Sequence, residues 1–296
     1  MASSDLQTVI DMLKSANPLG SLDIQQMRAG MAVAETVYER PGDVSYEPVD
    51  ARGVPAEWTA ASGADPTKAI VWLHGGGYCL GSIGSHRGLV TNLSRATAAR
   101  VLNVDYRLAP ESPFPAAVDD AVTAYRYVLS TGVEPARVAI GGDSAGGGLT
   151  VCAMIALRES GDPLPGAGIC ISPWSDLTGT ADSIAEKADV DPMITPELLD
   201  LLSRAYLADA DPRTPTASPI FGDLSGLPPL LIQVGGAECL LDDARNLAER
   251  AKANGVDVEL EEWEDMIHVW HTFADLLPEG RQAIDRIAAW LKEKTA

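Results

Sequence analysis

The chain has 296 residues, 46% of them hydrophobic and 22% charged, enough to bury the core of one large α/β domain or two average ones. Asp and Glu number 42 against 22 Lys and Arg, a formal net charge of −20. That balance argues against nucleic acid and anionic lipid as partners, because both are bound by clustered cations. No apolar run reaches the roughly 18–20 residues of a membrane span, so no membrane partner is expected.

Residues 1–20 lack the basic region, the continuous apolar core and the small-residue cleavage site of a secretory leader. Residues 1–38 read instead as two amphipathic, protein-facing helices. Leu6, Val9, Ile10 and Leu13 form the first stripe, and Ile24, Met27, Met31 and Ala34 the second. Residues 43–60 look like a hairpin with Arg52-Gly53 near its turn. From about residue 68, β-rich runs recur at Ala69–Leu73, Val101–Val104, Val138–Ile140, Gly168–Ile171, Leu230–Val234 and Val256–Trp263. Helical segments such as Ala116–Leu129 and Leu241–Ala253 lie between them, which predicts a parallel sheet covered on both faces. Residues 180–216 interrupt the alternation. They hold a helical run from Thr195 to Leu207 that Thr195 could cap, with Pro196 at its first position. This insertion reads as a lid over one end of the sheet, a merely decorative insertion being the alternative. The four cysteines (Cys79, Cys152, Cys170, Cys239) are far apart with no Cys-x-x-Cys pair. They read as buried free thiols of a reducing cytoplasm, and no zinc or other metal site is expected.

The chemistry concentrates in two glycine-rich turns. Gly142-Asp143-Ser144-Ala145-Gly146 follows a strand and precedes a helix read at Leu149–Arg158. A serine on such a sharp, strained turn is exposed as a nucleophile only if the residues two before and two after it lack side chains, as Gly142 and Gly146 do. The Ala145 amide would then face the reacting centre. A phosphate-binding turn is the alternative, but neither GxGxxG nor GKS/GKT spacing is present. His74-Gly75-Gly76-Gly77-Tyr78 also follows a strand. Its amides can converge on one point, so Gly75, Gly76 and Ala145 are the expected oxyanion donors, a flexible glycine turn being the plain alternative.

A serine nucleophile needs a base, and only His74, His86, His268 and His271 exist. His268, five residues past the last strand, is preferred over His271. His74 reads as a hydrogen-bonded residue shaping its loop, and His86 as packing or capping. The acid should follow the preceding strand. Glu238 stands there, 30 residues before His268, and is preferred to Asp242, because Asp242 and Asp243 fall one helical turn later and would point to solvent or cap the helix.

His74-Gly-Gly-Gly77, Asp105-Tyr-Arg-Leu-Ala-Pro-Glu111, Gly142-Asp-Ser-Ala-Gly146 and Asp191-Pro-Met193 together resemble the bacterial hormone-sensitive-lipase-type esterases over nearly the whole chain. The resemblance implies an α/β-hydrolase fold: a mostly parallel central sheet, helices on both faces, and a helical cap. The division would be cap helices at 1–40, an inserted cap region at 180–216, and a catalytic core of 41–179 and 217–296. It further implies hydrolysis of short-chain carboxylic esters through an acyl-enzyme, a small ester as partner, no cofactor, and frequent homodimers. Many members carry Asp-Pro-Leu where this chain has Glu238-Cys-Leu, so the acid rests on position. Arg107 is expected to pair with Glu111 or Asp119, and Asp143 to hydrogen-bond the loops around the site. Tyr78, Trp174, Met193 and Ile194 are candidate pocket walls by adjacency and apolar character. The same residues would serve an acyltransferase, lactonase or amidase. The intact serine and histidine argue against a non-catalytic receptor on this fold.

Overall fold

The computed structural model describes residues 3–15, 23–35 and 38–295. Helix α1 (Ser4–Ser15) buries Leu6 and Val9 against Met266, Ile267 and Trp270, with Ile10 and Leu13 packed beside them. On α2 (Ile24–Glu35), Met27 is buried and Ile24 and Met31 pack against the main core; the side chain of Ala34 lies outside the described residues. Strands β1 (Val44–Asp50) and β2 (Pro55–Ala61) pair antiparallel, and the turn between them places Arg52 and Gly53 at positive φ. The alternating part then runs β3 (Asp65–Leu73), α3 (Ile83–Thr97), β4 (Ala99–Val104), α4 (Ala116–Ser130), β5 (Val138–Asp143), α5 (Ala145–Glu159) and β6 (Ala167–Ile171). After the insertion, β7 (Leu230–Gly235), α8 (Leu241–Ala253), β8 (Val258–Trp263) and α9 (Pro278–Lys294) complete it.

The eight strands form one sheet in the order β1-β2-β4-β3-β5-β6-β7-β8. From β4 to β8 every neighbour pair is parallel, and β2 joins β4 antiparallel. The period of two along a strand sorts the core into two layers. On β3, Val71 and Leu73 join the cluster under α4, α5 and α8, while Ile70 and Trp72 join the cluster under α3 and α9. Strands β5, β6 and β7 are buried at every residue, which is why they read as continuous apolar runs. The carboxyl ends of β3, β5, β7 and β8 share one edge of the sheet, and the loops leaving them carry the candidate residues.

Within 180–216 a short helix α6 (Asp182–Glu186), not anticipated from the sequence, precedes α7 (Pro196–Leu207). The Leu198 amide donates to Thr195 Oγ1 at 3.2 Å and Pro196 fills the first helical position, as expected. The pairing of Arg107 differs from expectation. Its backbone amide and guanidinium hold Asp120, while Asp119 is exposed and Glu111 takes Arg28 of α2. Adjacent helical residues face about 100° apart, so only one aspartate of the pair can reach the 105–111 loop. Arg28 also donates to the carbonyls of Cys79 and Ala109, both at 2.7 Å, fastening α2 to the glycine loop. Among the described residues no helix is long and apolar enough to cross a membrane.

Candidate active site

Ser144 stands between β5 and α5 with φ 54° and ψ −121°, a conformation a non-glycine residue holds only when its surroundings impose it. The surroundings are tight. A Cβ on Gly142 would meet backbone atoms of Leu73 and Gly146, and one on Gly146 would meet Leu73 and His74. The turn is pinned by the Ser144 amide donating to Ile171 O at 2.8 Å and the Trp174 amide donating to Ser144 O at 3.0 Å. Because the turn is so sharp, α5 begins at Ala145, four residues before the sequence-based start at Leu149.

His268 Nε2 lies 3.0 Å from Ser144 Oγ, and its Nδ1 lies 2.7 Å from Glu238 Oε2. Glu238 Oε1 accepts the Gly235 amide at 3.1 Å. All three side chains are buried. Burial raises the Glu238 pKa more than the His268 charge and hydrogen bond lower it. Burial also pulls the His268 pKa down, but the charge and hydrogen bond of Glu238, with Asp191 and Asp143 behind them, outweigh it, and the imidazole ends above its ordinary value. The other histidines differ. His74 and His271 are driven down to about 3 by desolvation and stay neutral. His271 Nε2 is 2.8 Å from Gln233 Oε1. His74 stacks on Tyr106 at 4.2 Å and accepts the Tyr106 hydroxyl at its carbonyl, as a loop-shaping residue should.

Asp242 and Asp243 do not approach His268 through any hydrogen bond, but their surroundings correct the sequence reading. Asp242 accepts the Ser183 amide and Arg245. Asp243 does not face solvent: it is fully buried and accepts the amides of Ser175 and Asp176 at 2.9 and 2.8 Å. The segment after β6 covers the first turn of α8, and a sequence gives no hint of that cover.

Asp143 is a hub. Its Oδ1 accepts the Trp72 indole N–H at 3.2 Å, and its Oδ2 lies 3.1 Å from both the Gly75 amide and His86 Nε2. His86 therefore belongs to this polar cluster and is more than packing or a cap. Burial works to raise the Asp143 pKa, yet the charge and hydrogen bond of His86 hold it below the ordinary value. The hub also takes up the amide of Gly75, one of the expected oxyanion donors. The Gly75 N–H already donates to Asp143 Oδ2, and a Cβ on Gly75 would collide with that carboxylate. Gly76 (φ 117°) and Gly77 (φ 59°) turn the chain over the site. Among the described residues, the amides of Gly76, Gly77 and Ala145 have no acceptor.

Ser144, His268, Gly76 and Gly77 border a cavity of about 140 Å³. Of the candidate pocket walls, Trp174, Met193 and Ile194 line it and Tyr78 does not. Tyr78 is buried behind the wall, stacked on Tyr206 with ring centroids 3.8 Å apart. Met31, Leu80, Leu198, Leu199 and Leu202, not anticipated from the sequence, also line the cavity. The spacing of the three leucines on α7 is a usable signal for a face turned inward. Equally unanticipated is Ser172 (φ 45°), whose hydroxyl accepts the Val269 amide and supports Glu238 by a hydrogen bond.

A family model described as the α/β-hydrolase fold matches residues 70–272. An acetyl-hydrolase of Streptomyces hygroscopicus is 44% identical, the match covering 100% of this chain and 98% of that one. A crystal structure described as an esterase from the bacterial hormone-sensitive lipase family superposes with TM-score 0.96 at 48% identity, covering all of both chains. A structure of EstE5 soaked with p-nitrophenyl butyrate matches at TM-score 0.94 and 46% identity over 99% of each chain. The sheet order and a serine on a strand–helix elbow define an α/β-hydrolase. Within that class, the chain belongs to the bacterial hormone-sensitive-lipase-type carboxylesterases.

Proposed function

We propose that the protein is a serine carboxylesterase for short-chain esters, working through an acyl-enzyme. The observation that carries this reading is the line from Ser144 Oγ to His268 Nε2 (3.0 Å) and from His268 Nδ1 to Glu238 (2.7 Å), beside three amides without acceptors. His268 takes the hydroxyl proton as Ser144 Oγ attacks the ester carbonyl, and Glu238 stabilises the imidazolium through the Nδ1–H. The oxyanion accepts the amides of Gly76, Gly77 and Ala145, at the N-terminus of α5, whose partial positive charge adds to theirs. His268 then protonates the departing alcohol, and water repeats the sequence to free the acid and Ser144.

The size of the cavity supports the short acyl chain. At about 140 Å³ it falls well under the roughly 300–1,000 Å³ of sites for drug-sized ligands. Met31 of α2 and Leu198, Leu199 and Leu202 of α7 wall the cavity, which supports reading 1–40 and 180–216 as the cap. The four buried free cysteines fit a reducing compartment such as the cytoplasm. Homodimers follow from the resemblance and are checked by light scattering. The functional test is hydrolysis of p-nitrophenyl esters from acetate to palmitate. Fast cleavage confined to the short esters supports the reading, and no cleavage of any ester by folded protein overturns it.

A further inference from the structure

Asp191 lies outside the proton-transfer line yet joins the two sides of the site. It is 7% exposed, and among the described residues no Lys or Arg pairs with it. Its Oδ2 accepts the Cys239 amide at 2.8 Å, one residue beyond Glu238. Its Oδ1 accepts the amides of Met193 and Ile194, both at 2.9 Å, and those two residues wall the cavity. Three amide bonds to one anion are strong and directional. The join is reinforced where the Cys239 thiol meets the carbonyls of Ile184 and Ile194, and where the Ser183 hydroxyl donates to Cys239 O at 2.6 Å.

We propose that Asp191 is a positioning residue: it fixes the turn that presents the Glu238 carboxylate, sets the charge around the Glu238–His268 pair, and so couples the inserted segment to proton transfer. The proposal rests on the Ser144–His268–Glu238 reading above. A peptide displaced at Cys239 carries Glu238 with it, and catalytic geometry tolerates little displacement. The charge acts in parallel. His268 is faced by Glu238 from the turn after β7, by Asp191 from the insertion and by Asp143 from the end of β5, and each favours the imidazolium. Glu238 is faced by His268 and by Asp191, and the latter opposes its ionisation.

Two variants separate the parts. Asp191→Asn keeps the volume and one acceptor oxygen, loses the charge and turns an N–H toward an amide. Asp191→Ala removes both arms. The pH dependence of kcat/KM on p-nitrophenyl butyrate and the melting temperature are measured for both and for wild type. Titration of the His268 imidazole is followed by proton NMR in the free proteins. Asp191→Ala should lose about 10–10²-fold in kcat, Asp191→Asn less, and both should move the acid limb to lower pH, because His268 loses a neighbouring anion. A lower melting temperature with the limb in place would overturn the proposal, since a purely structural residue would give that result. Wild type inert toward every ester would instead refute the esterase reading. The His268 titration still decides this proposal in that case, and an unchanged titration in Asp191→Asn overturns it.

Discussion

Replacing Asp243 by Asn should stabilise the fold increasingly as pH rises from about 5 to 8. Burial without a cation raises the Asp243 pKa from 3.8 to about 8, opposed only in part by the amides of Asp176 and Ser175. Its Oδ1 takes both amides, and its Oδ2 has no partner. Between those two values the native state holds a proton that the unfolded chain has released. Stability therefore falls with pH, at about 1.4 kcal/mol per unit. By pH 7 the loss would reach about 4 kcal/mol. The N-terminus of α8 favours an anion in its first turn by about 0.3–1 kcal/mol, which trims the figure to about 3–4 kcal/mol. Asn keeps the acceptor at Oδ1 and does not titrate. Its additional N–H carries a cost that is the same at every pH, so the slope of the difference, rather than its level, is the readout. Denaturant midpoints for variant and wild type at about pH 5, 6, 7 and 8 give that slope. A difference that stays flat across the window would refute the reasoning and mean that Asp243 is ionised and compensated in the native protein.

Three further outcomes follow from the site. The acid limb of kcat/KM should lie above pH 6.5, because His268 is raised above that value mainly by the opposing charge of Glu238; activity is lost as pH falls through the limb, and a wild-type midpoint at or below 6.5 would contradict the account. Leu202→Ala opens the cavity wall beside Gly77 and should raise the ratio of kcat/KM for p-nitrophenyl hexanoate over acetate by about tenfold, read in a chain-length series. Arg28→Ala leaves the carbonyls of Cys79 and Ala109 without their donor and should cost about 1–3 kcal/mol in denaturant unfolding. Arg28→Lys should not restore it, since a point charge cannot span both carbonyls and Glu111 as the guanidinium fork does.

The fold, and the residues proposed to react, are legible where local sequence dictates local structure. A fully buried parallel strand reads as an apolar run, as β5 to β7 do. A serine held at φ 54° must have glycines on either side, as Gly142 and Gly146 are. What escaped the sequence depends on which way a group points after the chain has folded. The Gly75 amide lies beside Gly76 in sequence but donates to Asp143 Oδ2. Arg107 takes Asp120 instead of Asp119 by helical phase alone. Asp243 is buried by a segment more than sixty residues earlier, and Tyr78, adjacent to the glycines, is rotated out of the pocket into a stack with Tyr206. Asp191 stands out in the sequence only as part of a motif, since its partner Cys239 is 48 residues away.

Whether Ser144 carries the acyl group is read by peptide-mapped mass spectrometry of protein quenched during turnover of p-nitrophenyl butyrate. The activated leaving group makes acylation fast, so the intermediate should accumulate. A butyryl group is expected on the peptide containing Ser144, missing in Ser144→Ala, with turnover in Glu238→Gln reduced by about 10⁴-fold. Continued hydrolysis with the butyryl group on another residue, or with none on any residue in a protein that releases p-nitrophenol in a burst, would contradict acylation at Ser144.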